Sequence, residues 1–142
     1  MEKVTLEKQL KIITNNKAGM LADVAGLIAD KGINIENFCA YASGEKAVFH
    51  LLTNDNEKAK SALQGKGYQI EENKVILLRL WNRPGSLASV AAKLKLHGIN
   101  LEHVYGTSSL SGERMTVIFS SDNNEKASEI FSTMIVEEGL ST

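Results

Sequence analysis

Asn82-Arg83-Pro84-Gly85-Ser86-Leu87 follows an apolar run, Val75-Ile76-Leu77-Leu78-Arg79-Leu80-Trp81, and precedes a helical pattern. The chain writes nearly the same stretch earlier, as Asn16-Lys17-Ala18-Gly19-Met20-Leu21, with Gly19 and Gly85 lying 66 residues apart. Each reads as a turn from a strand into a helix. The two copies make an internal repeat the first thing to test. At the same spacing Ala22, Val24 and Ala25 match Ala88, Val90 and Ala91, and Gly32-Ile33-Asn34-Ile35-Glu36 matches Gly98-Ile99-Asn100-Leu101-Glu102. Further on, Ser43-Gly44-Glu45-Lys46 matches Ser111-Gly112-Glu113-Arg114, and Asn56-Glu57-Lys58-Ala59 matches Asn124-Glu125-Lys126-Ala127. The second copy carries two more residues, within 105–110. The chain is two copies of one unit.

Each unit predicts strand, helix, strand, strand, helix, strand. Leu10 to Asn15 and Val75 to Trp81 are first strands. Leu21, Val24, Ala25 and Ile28, and then Leu87, Val90, Ala91 and Leu94, follow the spacing of a helix with one buried stripe. Gly32 and Gly98 stop these helices. Ser43-Gly44 and Ser111-Gly112 mark hairpins between the second and third strands. Asp55, and Asp122 or Asn123, start the second helices; Gly139 ends the last of them. Tyr68 to Glu72 predicts a short last strand for the first unit. The second unit has room for almost none, so that strand is expected to be missing, rudimentary or replaced by another segment. Because only Asn73 interrupts Tyr68 to Trp81, the two units abut without a linker, divided as 1–72 and 73–142. Alternation puts Ala47, Phe49 and Leu51 under the helices, with Met115, Val117 and Phe119 as counterparts. The opposite face, with Val48, His50 and Leu52, is mixed and half-apolar, which predicts partial cover by something, another subunit being one candidate.

These motifs resemble the ACT domain, a small amino-acid-sensing module. The likeness is carried by the turn at 82–87, the Gly-Ile-Asn-Leu-Glu at 98–102, their first-copy versions and the element order. It covers roughly residues 9–72 and 74–137. The resemblance implies an α+β fold of two tandem ferredoxin-like βαββαβ units, antiparallel sheets with helices on one face. It implies a regulatory protein that senses an amino acid, pairs as a homodimer and acts on a metabolic enzyme or regulator; the lack of a signal-peptide core and of a spanning run makes the cytoplasm the default compartment. The alternative is an adaptor that binds a partner enzyme with no small ligand.

The turn chemistry suits such a ligand. A helix N-terminus offers unpaired N–H groups and partial positive charge to a carboxylate. Gly19 and Gly85 admit a ligand to the backbone; Pro84 pre-sets the second turn, where the first has Ala18. Asn16 and Asn82 can accept from an ammonium or hold the turn. The candidate ligand-binding residues are thus Asn16, Ala18, Gly19, Met20, Leu21 and Asn34 in the first copy, and Asn82, Pro84, Gly85, Ser86, Leu87 and Asn100 in the second. Asn34 and Asn100, at the start of the second strands, are expected to reach the same space or to serve only as turn residues. Leu21 and Leu87 read as core by spacing and as ligand borders by position.

Composition narrows the classes. The 142 residues are 43% hydrophobic and 23% charged, with net charge −1, which gives no overall pull toward nucleic acid or anionic membranes. The single cysteine, Cys39, cannot form an internal disulfide. The N-terminus lacks a signal-peptide core, and no apolar run is long enough to span a bilayer. His50, His97 and His103 lack metal-ligand spacing. No nucleophile, base and orienting acid share a neighbourhood, so no enzyme activity and no metal or cofactor is expected. RNA binding would need exposed aromatics on the first and third strands; Phe49 and Phe119 fall on the core face.

Overall fold

The computed structural model describes the backbone of residues 3–140. The elements run β1 (Lys3–Asn15), α1 (Met20–Ala29), β2 (Ile35–Ser43), β3 (Lys46–Thr53), α2 (Asn56–Leu63), β4 (Gln69–Trp81), α3 (Ser86–Leu96), β5 (Leu101–Ser108), β6 (Arg114–Ser121) and α4 (Asn124–Leu140). They form two compact units, one of Lys8–Asn73 and one that joins the residues up to Glu7 to those from Lys74 onward. The first seven residues group with the second repeat rather than the first.

In the Lys8–Asn73 unit the strands lie in the order β2-β3-β1-β4; in the other unit the order is β1-β4-β6-β5. Each is the strand order of a ferredoxin-like unit. β1 and β4 are long enough to give one half to each sheet. The strand missing from the end of the second repeat is therefore supplied by residues 3–7, and Val4 packs against the second core. Tyr68 and Ile70 do the same for the first core. α4 runs through Gly139 to Leu140 rather than stopping at the glycine.

Register follows from the alternation. β3 pairs antiparallel with β1, Leu10 opposite Leu51 and Asn15 opposite Lys46. β6 pairs antiparallel with β4, Ile76 opposite Phe119 and Trp81 opposite Arg114. Both edge strands break register at the same repeat position, between Ile35 and Asn37 and between Leu101 and His103. The Gly-Ile-Asn-Ile/Leu-Glu motif thus encodes a bulge that skips its glutamate.

The first core joins Leu10, Ile12, Phe49 and Leu51 to Val24, Ile28 and Leu63. The second joins Ile76, Leu78, Val117 and Phe119 to Val90, Leu94 and Phe131; Phe119 and Phe131 meet edge to face at 6.1 Å. The helical stripe is Met20, Val24 and Ile28, whereas Leu21 is 53% and Leu87 52% exposed. The core reading of these two leucines is corrected: the phase of the helix starts one residue earlier. On the opposite sheet face Val48, His50, Leu52, Ile118 and Ser120 are already buried in the single chain, so no second subunit is needed to cover them. His50 is held within its own unit by Gln9 Nε2 at 3.1 Å and the Tyr41 hydroxyl at 3.2 Å. Lys60 ties α2 to the start of β4: its ammonium is held above the usual lysine value chiefly by the hydrogen bond to Glu57 and further by the charge of Glu72.

Candidate functional site

The two repeated motifs are type II β-turns. Met20 N–H donates to the Lys17 carbonyl at 3.3 Å and Ser86 N–H to the Arg83 carbonyl at 3.2 Å. Gly19 and Gly85, third in their turns, both stand at φ 89°, with ψ −3° and −11°. That conformation is the one a type II turn demands, and proline favours the position before it. The glycines therefore have a backbone reason to be there. They also begin the helices, since Asp23 N–H donates to the Gly19 carbonyl and Ser89 N–H to the Gly85 carbonyl, each at 2.9 Å.

A glycine N-cap brings no side chain to the helix start, and α1 and α3 have no side-chain cap. The other two helices are treated differently. Asp55 accepts from Lys58 N–H at the start of α2, and Asn123 accepts from Lys126 N–H at the start of α4, each at 3.1 Å. In each unit, then, the helix entered from the turn keeps its first free amides, those of Leu21 and Ala22 or Leu87 and Ala88, open to an outside acceptor.

A cavity lies at each turn. The one in the first repeat measures about 320 Å³. Its walls come from the end of β1 (Ile13, Thr14, Asn15), from Lys17 and Met20, from Lys46, and from the segment Lys66 to Gln69 between α2 and β4. The one in the second repeat measures about 210 Å³ and is bounded by Leu80 and Trp81, the turn Arg83 to Ser86, Ser89 and Val90, and Met134 of α4. The Arg83 and Arg114 guanidinium carbons lie over the Trp81 ring, 5.6 and 3.2 Å from its centre.

Of the candidate residues, Pro84, Gly85, Ser86 and Met20 line these cavities. Asn16, Ala18, Gly19 and Leu21 sit on the exposed turn and helix start without lining the first cavity, and Leu87 likewise for the second. Asn82 serves the scaffold, since its Nδ2 donates to the Gly112 carbonyl at 2.9 Å and holds the β5–β6 hairpin. Asn34 and Asn100 do not meet the turns within a unit. The turn follows Asn15, opposite Lys46 at one end of β3, while Ile35 lies opposite Thr53 at the other end. There Asn34 exchanges hydrogen bonds with Asn54, and Asn100 with Asp122. Lys66, Tyr68 and Met134, which arrive from elsewhere in the chain, are cavity residues that the sequence motifs do not mark, and Lys46 closes a repeated motif that reads only as a hairpin. Only their repeat-aligned neighbours to the turn could have signalled them.

Among the described residues, no three His, Cys, Asp or Glu side chains come together to hold a metal, and no helix is long and apolar enough to cross a membrane. Phe49 and Phe119 are buried, on the core face where alternation put them.

A family model described as an ACT domain pair matches residues 4–141. A comparison with curated protein sequences returns no match. Among solved structures, protein BT0572 from Bacteroides thetaiotaomicron is similar at 25% identity and a TM-score of 0.84, over 92% of this chain and 90% of that one. The ligand-free regulatory subunit of aspartate kinase from Thermus thermophilus shares the fold at 17% identity and a TM-score of 0.67, over 92% of this chain and 96% of its own. The corresponding subunit from Thermus flavus gives 18% and 0.62, over 92% and 95%. With the doubled turn, the doubled strand order and a match that spans nearly every residue, the chain belongs to the ACT-domain family, as an ACT domain pair.

Proposed function

We propose that this chain is a non-catalytic regulatory module of the cytoplasm that senses an amino acid at its β–α turns. The observation that carries the reading is the contrast in capping: α1 and α3 start without a side-chain cap beside a cavity, while α2 and α4 are capped by Asp55 and Asn123. A carboxylate at those free amides gains charge-assisted hydrogen bonds and the favourable end of the helix dipole. Backbone at Gly19 and Gly85 stays open to it. Asn16, Ala18, Met20, Leu21 and Asn34 in the first copy, with Asn82, Pro84, Ser86, Leu87 and Asn100 in the second, complete the proposed ligand surroundings. The asparagines at 34 and 100 enter them only from a neighbouring copy, since within a unit they face the other end of the sheet.

The protein works as a homodimer on a metabolic enzyme or regulator. Support for pairing comes from the edge strands. Phe38 on β2 and Val104 on β5 occupy equivalent register positions, opposite Leu51 and Phe119, and are 62% and 48% exposed. Exposed apolar side chains on an unpaired strand edge mark an association surface. The same feature favours the second reading, an adaptor that holds a partner enzyme and needs no small ligand.

A thermal-shift screen of the full chain against the twenty amino acids separates the two. A ligand that binds only the folded state raises the midpoint, by about 2.7 kcal/mol of stability at ~100-fold saturation. A hit at millimolar concentration supports sensing; a flat screen with a dimer still present supports the adaptor.

A further inference from the structure

The two cavities have diverged in charge, and the cause is the way the second repeat is completed. After α2 the chain returns through Gly65-Lys66-Gly67 to its own last strand, with φ +78° at Gly65 and +81° at Gly67. That loop puts Lys66 and Tyr68 on the wall of the first cavity. The second repeat takes its last strand from the N-terminus, so it has no such loop, and α4 contributes Met134 instead. With Lys66 from that loop, the first cavity is lined by three lysines, Lys17, Lys46 and Lys66, and among the described residues by no acid, while Lys17 and Lys46 have basic counterparts in Arg83 and Arg114. They come from three separate segments: the turn, the start of β3 and the α2–β4 loop. Lys46 Nζ donates to Asn15 Oδ1 at 3.1 Å. The described ion pairs join Lys60 to Glu57 and Glu72 and Lys74 to Glu125, so none of the three cavity lysines is neutralised by a carboxylate. Asp23 and Asp30 line an adjoining groove that shares Lys66 and Tyr68, but stay outside ion-pair distance. The second cavity has one lining cation, Arg83, which lies over Trp81.

We propose that the cavity of the first repeat binds a small dicarboxylate, such as an acidic amino acid, through Lys17, Lys46 and Lys66. The inference rests on the amino-acid reading above and adds the second negative charge. One carboxylate meets Lys17 at the turn into α1; the other meets Lys46 and Lys66, which reach the cavity from other segments. Ile13, Met20 and Tyr68 supply wall for the carbon chain between them. A lysine or arginine ligand is repelled here.

The test is calorimetric titration of the full chain at low salt with L-aspartate, L-asparagine, succinate and inorganic phosphate, repeated on Lys17→Gln/Lys66→Gln and on Lys31→Gln, an exposed lysine that lines neither cavity. The lysines are exposed, so the double variant keeps its fold and its melting temperature without ligand. Exposed pairs of this kind contribute about two- to fivefold each in affinity. Aspartate is therefore expected to bind ~10-fold tighter than asparagine, to lose about that factor in the double variant, and to be unaffected by Lys31→Gln. Its affinity falls as salt is raised. Succinate equal to aspartate keeps the dicarboxylate site while removing the amino-acid reading for this cavity. Asparagine equal to aspartate, or an unaffected double variant, overturns the proposal and leaves the amino-acid reading standing. Phosphate as tight as aspartate overturns it in favour of a compact-anion site. Binding of none of the four overturns the proposal, and the amino-acid reading is then decided by the screen of all twenty.

Discussion

Gly85 stands at φ +89° with no heavy atom within 4 Å of where a Cβ would sit. Its requirement is therefore conformational, and a side chain there meets the left-handed penalty alone. Gly85→Ala is expected to lower stability by about 1–2 kcal/mol, read from thermal melting without ligand. The added methyl lies on the wall of the second cavity, so ligand response at that site should weaken as well. The neighbouring position gives the opposite sign. Ala18 occupies the place in the first turn that Pro84 fills in the second. Ala18→Pro is expected to raise stability by about 0.4–1 kcal/mol, by restricting the unfolded chain; a lowered midpoint would show that the two turns differ. These residues were legible because a type II turn leaves its mark in adjacent letters. The leucines at 21 and 87 were misread for a related reason. Their spacing fits a helical stripe as well as the true one at Met20, Val24 and Ile28 does, and Ser86 in the second copy hid the phase.

At the scale of elements, the long strands β1 and β4 carry the organisation. Residues 8–73 hold first strand, both helices and last strand of one unit, while 74–140 lack a last strand without residues 3–7. Deleting residues 1–7 should therefore damage the second repeat alone, by at least about 1.5 kcal/mol for the lost packing of a residue such as Val4. Hydrogen exchange is the measurement: protection should drop in β5, β6 and the second half of β4 and persist in β3. A fragment of 8–73 should fold, and one of 74–142 should not until residues 3–7 are grafted after α4. The gap at the end of the second repeat was plain in the sequence. Its filler was not, because Val4-Thr5-Leu6 is too short a run to choose a partner, and strand pairing over such a separation leaves no local trace. The lysines of the first cavity could be read singly, Lys17 as an aid to a carboxylate, but their convergence could not, since each is an ordinary surface residue in its own segment.

For the whole molecule, the repeat made the architecture readable and left assembly open. The equivalent exposure of Phe38 and Val104 on the two sheet edges predicts that Phe38→Asp shifts a dimer toward monomer in light scattering, with the melting temperature little changed. An unchanged mass would move the interface elsewhere, with Leu96, 74% exposed on α3, the next surface to vary. The mixed outer face is a different matter. Alternation located it correctly, but what lies over Val48, His50 and Leu52 is decided by tertiary arrangement, and the expected second subunit is not required there.

The borrowed N-terminal strand has a consequence in time. A ribosome releases residues 3–7 first and the sheet that receives them last. At about 5–20 residues per second, that interval is on the order of ten seconds. Once residue 73 has emerged, about half way through it, the first repeat is able to close, carrying a projecting strand with no partner, while the second repeat cannot finish from its own segment. Maturation of the chain is thus expected to be ordered: the first repeat forms during synthesis, and the second snaps shut only after α4 has left the exit tunnel. A stalled-ribosome series should show native-like protection in 8–73 long before any appears in β6.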